Sequence, residues 1–179
     1  MSLQPVKRLK REINVKGNVL TLYTDTVEVN GLIEKWDYLH HNGAGAVIPV
    51  TEDGKILMVR QYRNALDRFT LEIPAGKVDS PDEPRIECAL RELEEETGYK
   101  TESLEFLIRV DTFVAFCNEE IDVFIARNLI KTKQNLDEDE AVEVEEWGLD
   151  ELLDMVYKGE LKDAKTISAI LAYANKYGK

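Results

Sequence analysis

The sequence has 179 residues, of which 44% are hydrophobic and 32% charged, the length and composition of one globular domain. Its 35 acidic residues outnumber the 23 Lys and Arg and give a formal net charge of −12. This balance excludes the basic surface with which proteins bind nucleic acids or anionic membranes. The excess lies in residues 82–96, with seven acids and two bases, and in residues 137–146, with seven acids and no base.

Cysteine content and hydropathy predict the cellular compartment. Cys88 and Cys117 are too few for a disulfide framework and suit a reducing cytoplasm. No apolar stretch follows the basic N-terminal residues, and no segment has the roughly 18 apolar residues of a membrane span. We therefore expect a soluble cytoplasmic protein that binds neither nucleic acid nor membrane.

The first 40 residues are β-prone and contain a strong turn signal. Thr26–Val29 and Ile33–His40 flank Asn30-Gly31, a dipeptide that favours a two-residue hairpin turn. We therefore expect antiparallel strands at the N-terminus.

Short β-prone runs continue beyond this region. Ala46–Val50 and Ile56–Val59 are separated by a turn-forming segment that contains Gly54, and this predicts a second hairpin. Further strands are predicted at Phe69–Ile73, Leu104–Val110 and Ile121–Ala126.

Three segments have the apolar spacing of helices, and they are interleaved with these strands. They run from about Glu83 to Thr97, from Asp150 to Gly159, and from Asp163 to Gly178. In the first helix, which Gly98 is expected to end, four apolar residues recur at helical spacing and predict a buried face: Ile86, Ala89, Leu90 and Leu93. The pattern as a whole predicts an α/β fold with a mixed sheet between helical layers.

The first helix has glutamates at four of the five positions from 92 to 96. At 3.6 residues per turn, Glu92, Glu95 and Glu96 fall within about 100° of arc. Like charges at these spacings destabilise a helix, so the cluster favours a bound cation, with a solvated acidic face as the alternative. Ligands that are all oxygen select Mg²⁺, Mn²⁺ or Ca²⁺.

Gly76, Glu83 and the run from Arg91 to Tyr99 resemble the Nudix box, a glycine and a glutamate followed by R-E-aliphatic-x-E-E-x-G-aliphatic. The resemblance implies a Nudix fold, an α/β/α sandwich with a mixed β-sheet, over residues 41–179, with the box at 76–99. The chain has one extra residue between the glycine and the first glutamate, which leaves either Asp82 or Glu83 as the first acid of the box.

The same resemblance implies a metal site and a reaction. Its carboxylate ligands for Mg²⁺, with Mn²⁺ as a substitute, correspond to Glu92, Glu95 and Glu96, and the Ala75 carbonyl completes the set. Arg91 corresponds to a residue that orients the glutamates. Nudix enzymes hydrolyse a nucleoside diphosphate linked to another group, and Glu92 and Glu96 are therefore implied to be catalytic.

Several runs outside the box are similar to the ADP-ribose pyrophosphatase and nucleoside diphosphate sugar hydrolase branch of the family. These runs are Val59–Arg63, Leu71–Lys77, Asn118-Glu119, Asp137–Val144 and Asp163–Ile167. The similarity implies that Arg63 contacts the phosphates or terminal ribose and that Glu140, or else Glu138, acts on the attacking water.

The similarity also implies roles for residues further from the box. Trp36 is expected to stack on the base, with a packed strand aromatic as the alternative. Glu119 is expected to bind the ribose or a further metal, and Glu72 to support the site. Residues 1–40 are expected to form a homodimer.

Residues 114–119 lack the proline that ADP-ribose enzymes of this branch commonly carry there. The substrate therefore remains either ADP-ribose with related nucleoside diphosphate sugars, or a GDP-mannose-type nucleotide. A nucleotide-binding module without activity is a further alternative, which the retained box carboxylates disfavour. RNA decapping fits poorly with the acidic balance.

Overall fold

A computed structural model describes residues 4–17, 20–136, 138 and 140–178. The chain forms two compact units. The first extends to Asn42 and includes Asp111–Glu119, and the second contains Gly43–Val110 and the chain from Glu120 onward. None of the helices in the described part of the chain has both the length and the apolar character needed to cross a membrane.

The first unit is built on an antiparallel sheet in the order β1-β2-β3, formed by Lys7–Lys16, Thr21–Val29 and Leu32–His40. The predicted hairpin is confirmed: Asn30 and Gly31 both have positive φ, 51° and 81°, as a type I′ turn requires. The segment 111–119 joins this sheet, since the Leu39 N–H donates to the Phe116 carbonyl at 2.6 Å. The dimer-forming role of residues 1–40 stays a prediction.

The second unit contains the remaining strands and three helices. The strands are β4 Ala44–Pro49, β5 Ile56–Arg63, β6 Arg68–Glu72, β7 Ala75–Lys77, β8 Tyr99–Lys100, β9 Leu104–Asp111, β10 Glu120–Ala126, β11 Ile130–Lys131 and β12 Val142–Trp147. The helices are α1 Arg85–Thr97, α2 Leu149–Tyr157 and α3 Ala164–Tyr177. The strands form one sheet ordered β7-β4-β10-β9, a second ordered β12-β5-β6, and the pair β11-β8.

Strand β4 is an inner strand of the four-stranded sheet and is buried along its whole length. It runs parallel to β10 and antiparallel to β7, so the sheet is mixed, as predicted. Val47 packs with Leu93 of α1. Ile48 belongs to a separate cluster with Leu152 of α2 and Ile170 of α3. Successive side chains thus contact helices on opposite faces of the sheet, which confirms the layered α/β arrangement.

The second predicted hairpin is wrong. Strands β4 and β5 belong to different sheets and are linked only by a single bridge between Val50 and Ile56. A tight turn follows β4, in which the Thr51 N–H donates to the Lys55 carbonyl at 2.9 Å. Both edges of β4 are already paired, with β7 and β10, so β5 has no free edge of β4 beside it and pairs with β6 and β12 instead.

Helix α1 packs closely on β4 because Gly45 has no side chain. A Cβ at Gly45 would lie 2.4 Å from the Arg85 carbonyl oxygen and 2.7 Å from the Ala89 nitrogen. Ala89 and Leu93 are fully buried, as predicted, whereas Ile86 is 41% exposed. Ile86 therefore lies outside the buried face of α1.

Replacing Gly45 with alanine is expected to destabilise the protein by about 3 kcal/mol, because the new methyl group meets helix backbone that cannot yield without moving α1. Gly148→Ala is the matched control, since its new Cβ meets only the flexible Glu151 side chain, at 3.0 Å. Urea unfolding measures both variants. Equal free energies of unfolding for the two variants would contradict the close-packing account.

Candidate active site

Helix α1 buries two of the predicted glutamates against the segment that carries β7. Glu92 is 8% exposed and Glu96 is 3% exposed. A Cβ at Gly76 would lie 1.8 Å from Oε1 of Glu92, so only glycine allows this carboxylate to lie on the β7 backbone. The Ala75 N–H donates to Oε2 of Glu96 at 3.0 Å. The glycine and two glutamates of the box therefore meet where α1 packs against β7.

Arg91 links the other carboxylates. Its Nη1 donates to Oε1 of Glu92 at 2.7 Å and to Oε2 of Glu95 at 3.0 Å. Its Nε lies 3.5 Å from Oε1 of Glu83, whereas Asp82 is exposed. The arginine thus orients the glutamates, and of the two candidate first acids Glu83 is the one that the structure brings to it.

The nearby positive charge does not balance the two buried carboxylates, Glu92 and Glu96. Burial raises the pKa of Glu96 to about 8, with further contributions from the negative charges of Glu92 and Glu140. Burial also raises the pKa of Glu92 to about 7, although Arg91 opposes the shift. Two buried carboxylates with raised pKa values have too little positive charge near them, and a divalent cation would supply it.

The carboxylate oxygens at this site suit a hard cation, but they do not make up a complete set of metal ligands. Glu92 and Glu96 supply buried carboxylate oxygens, as Mg²⁺ and Mn²⁺ prefer. Glu95 is more exposed, at 33% of its side chain, and Arg91 holds it as it also holds Glu92. Among the described residues, no three His, Cys, Asp or Glu side chains converge as ligands. The structure therefore brings two of the three predicted metal-binding glutamates together at β7, and the ligand roles of Glu95 and the Ala75 carbonyl stay predictions.

The second acidic segment contributes a charge to the same site. Glu140 is exposed and lies just before β12, and its negative charge raises the pKa values of both Glu92 and Glu96. Gln134 donates from Nε2 to the Glu96 carbonyl at 2.7 Å and to the Val142 carbonyl at 3.2 Å. This side chain therefore ties the end of α1 to the strand that follows Glu140.

The remainder of the acidic segment is described only in part. Glu138 lies in an exposed turn, and Asp137 and Asp139 lie outside the described residues. The choice of Glu140 over Glu138 as the group acting on water stays a prediction.

Arg63, at the end of β5, forms a bidentate ion pair with Glu72 of β6. Nε and Nη2 of Arg63 each lie 2.7 Å from an oxygen of Glu72, which is only 2% exposed. Lys165 of α3 also donates to Glu72. Burial opposes the ionisation of Glu72, but Arg63 and Lys165 outweigh it and lower the pKa of this carboxyl to about 2. Arg63 thus presents a fixed guanidinium, 42% of its side chain being exposed.

Trp36 and Glu119 belong to the first unit. Trp36 lies on β3 and is 47% exposed. Glu119 accepts a hydrogen bond from the Thr112 hydroxyl at 2.5 Å and lies 3.5 Å from Nδ1 of His41. Their contacts with substrate stay predictions.

Sequence reasoning missed two residues that hold the site. Lys165 lies within a run that we compared with the ADP-ribose branch, but nothing in the run shows that its ammonium group reaches Glu72, 93 positions earlier. Gln134 lies in an irregular segment, and no pattern pairs it with the end of α1.

Comparison with known proteins gives a family match and close relatives. Residues 39–170 match the family model of the NUDIX domain. The chain is 44% identical over 168 residues to the methanol dehydrogenase activator of Bacillus methanolicus, covering 92% of this chain and 90% of that protein. It is also 44% identical over 167 residues to the ADP-ribose pyrophosphatase of Bacillus subtilis (strain 168), again covering 92% and 90%. A crystal structure of an ADP compounds hydrolase has the same fold, with a TM-score of 0.86 at 23% identity over 99% of this chain and 97% of that one.

The raised pKa values predict how stability depends on pH when no divalent cation is bound. Between the ordinary value of 4.5 and about 8, the unfolded chain has ionised glutamates while native Glu96 retains its proton. The native state then binds more protons, so the free energy of unfolding falls as pH rises through this window. We expect the melting temperature in EDTA to fall from about pH 5 to about pH 8.

Glu96→Gln is expected to flatten this fall, and Glu94→Gln, on the same helix, serves as the control. Added Mg²⁺ is expected to raise the melting temperature chiefly at the alkaline end, because binding requires ionised carboxylates. Calorimetric scans across the window measure both effects. A slope in Glu96→Gln equal to that of the wild type would show that Glu96 does not retain its proton.

Proposed function

The chain belongs to the Nudix family, and we propose that it is a pyrophosphatase that hydrolyses ADP-ribose and related nucleoside diphosphate sugars to a nucleoside monophosphate and a sugar phosphate. The observation that carries this proposal is the buried pair of Glu92 and Glu96 against β7, with Arg63 fixed in the same unit. The similarity to an ADP-ribose pyrophosphatase over nine-tenths of both chains supports this choice of substrate.

We propose that Glu92, Glu95, Glu96 and the Ala75 carbonyl hold Mg²⁺, for which Mn²⁺ can substitute. Carboxylates alone would repel a pyrophosphate, and the chemistry supplied by a divalent cation is neutralisation of that charge and acidification of a water molecule. The Arg91 guanidinium holds Glu92 and Glu95 in place. The Ala75 N–H directs Glu96 in the same way.

Other side chains bind the substrate and handle the proton. Arg63 binds phosphate or ribose oxygens, because its planar guanidinium is already held by Glu72 and part of it faces solvent. Glu140 accepts the proton of the attacking water as general base, and its electrostatic effect on Glu92 and Glu96 supports this role. Glu72 acts by holding Arg63.

In this proposal, the first unit recognises the nucleotide base of the substrate. Trp36 is exposed on β3 and stacks on the base, and Glu119 binds the ribose. The sheet of the first unit exposes apolar side chains, among them Ile13, Leu32 and Ile33, which supports a homodimer formed through residues 1–40. The reducing cytoplasm remains the compartment that the two free cysteines favour.

A panel of ADP-ribose, ADP-glucose, GDP-mannose, NADH and diadenosine polyphosphates tests the function. We expect Mg²⁺-dependent release of AMP and ribose 5-phosphate from ADP-ribose, with the highest kcat/KM of the panel. A higher value for GDP-mannose would overturn the choice of substrate in favour of the alternative nucleotide. Tight binding of ADP-ribose without cleavage would instead identify a nucleotide-sensing module.

Glu96→Gln is expected to lower kcat by about 100-fold or more, as for other groups that stabilise charge in the transition state, while the protein still folds. Glu94→Gln is the matched control and is expected to keep wild-type turnover. Steady-state kinetics with ADP-ribose, together with a melting curve, separate loss of chemistry from loss of fold. Full activity of Glu96→Gln would remove Glu96 from the metal site.

Glu140→Gln is expected to lower kcat by about 100-fold while KM changes little, because a general base acts on the chemical step. Glu138→Gln is the control and is expected to leave kcat near that of the wild type. The same kinetic assay checks both. A large effect in Glu138→Gln alone would transfer the role to Glu138.

A further inference from the structure

The first turn of α3 contacts the segment that leads into the candidate active site. Strand β6 ends at Glu72, so Ile73 has no strand partner for its N–H, and its side chain is fully buried. A buried N–H needs a hydrogen-bond acceptor. The Thr166 hydroxyl supplies it at 3.0 Å, from a residue that is itself fully buried.

The hydroxyl of Thr166 is held in turn by the cap of the helix. Asp163 is the N-cap residue of α3, and its Oδ2 accepts from the Thr166 N–H at 3.0 Å and from the Thr166 hydroxyl at 2.6 Å. The same oxygen lies 3.0 Å from Nζ of Lys165. The cap therefore fixes the two residues that face β6.

Lys165 makes the second contact. Its side chain is 11% exposed, and its ammonium group lies between Asp163 and Glu72. Arg63 and Lys165 both contact Oε2 of Glu72. Two cations and two carboxylates thus form a neutral network around the buried Glu72 carboxylate. Buried ion pairs add little net stability, so the fixed geometry of this network needs another explanation.

That explanation lies in three consecutive residues after β6. Ile73 is bound to α3 through its N–H, and the Pro74 carbonyl accepts from the Val47 N–H of β4 at 2.9 Å. Ala75 then donates to Glu96 of α1. The segment is thus held by α3, β4 and α1 in turn, and the contact from α3 comes first.

We propose that the first turn of α3 is a positioning element for the active site, in which Lys165 fixes Glu72, and so Arg63, while Thr166 fixes Ile73, and so the Ala75 N–H that directs Glu96. This inference rests on the proposed function, because Arg63 and Glu96 are the groups that are positioned. Neither Lys165 nor Thr166 contacts substrate, and both act through the residues that they hold.

Four variants and one control test the proposal in the full chain. Lys165→Met removes the ammonium group, and Thr166→Val removes the hydroxyl at nearly constant volume. Lys165→Arg and Thr166→Ser retain these groups. Lys162→Met is the control, because Lys162 is exposed and belongs to the same segment of chain.

Hydrogen–deuterium exchange provides a measurement that does not depend on activity. We expect the Ile73 amide to exchange at least about tenfold faster in Thr166→Val and in Lys165→Met, since each loosens a buried hydrogen-bonded segment. Thr166→Ser, Lys165→Arg and Lys162→Met are expected to remain close to the wild type.

Kinetics with ADP-ribose provide the second measurement. Lys165→Met is expected to raise KM about tenfold, the effect of losing one hydrogen bond to a charged group, because Arg63 is less well held. Thr166→Val is expected to lower kcat more than it raises KM, because the Ala75 N–H directs Glu96. Lys165→Arg and Thr166→Ser are expected to recover most of each loss.

The outcomes separate this inference from the proposed function. Unchanged exchange and kinetics in Lys165→Met and Thr166→Val would overturn the inference, as would a loss of activity in Lys165→Met with unchanged exchange, which would indicate direct contact with substrate. If the wild type hydrolyses none of the nucleotides, the proposed function fails, and the exchange data still decide whether α3 holds the segment. If Lys165→Met does not fold, the comparison of Thr166→Val with Thr166→Ser decides whether α3 positions the active site.

Discussion

Glu92 and Glu96 are buried one turn apart on α1, and the Glu92 carboxylate occupies the space that a side chain at Gly76 would need. Removing two carboxylates from water raises both pKa values and leaves a local need for positive charge. A divalent cation meets that need, and a pyrophosphate requires the same cation before it can approach an acidic surface. The acidic excess of the sequence, which at first argued only against polyanionic partners, therefore predicts that a phosphate substrate binds together with metal.

The rest of the second unit keeps this pair in place. Gly45 allows α1 to approach β4, Gly98 ends the helix directly after the glutamates with φ of 69°, and Arg91 spans Glu92 and Glu95. The first turn of α3 holds Glu72, the partner of Arg63, through Lys165. The contacts of Gly45 and Lys165 join elements distant in sequence, whereas those of Arg91 and Gly98 lie within α1. The site therefore depends on the packing of the whole unit as well as on the helix.

Local patterns predicted a large part of this arrangement. The Asn30-Gly31 turn, helix α1 with its glycine end and the layered α/β fold follow from residues close together in sequence, where spacing and turn chemistry decide the outcome. The prediction failed for the β4–β5 hairpin, because strand pairing depends on which edges are already occupied, and for Ile86, which the packing of α1 leaves 41% exposed. The glutamate cluster was predictable from helical geometry, whereas the charge of Lys165 beside Glu72 arises only from tertiary packing.

The proposed chemistry depends above all on the binding of a divalent cation by Glu92 and Glu96. Isothermal titration of the EDTA-treated protein with Mn²⁺ near pH 8 tests it directly, with Glu94→Gln as the control on the same helix. We expect the wild type and Glu94→Gln to bind alike and the double variant Glu92→Gln/Glu96→Gln to lose about 100-fold or more in affinity. Wild-type affinity in the double variant would contradict the account, because the buried pair would then have no role in binding metal.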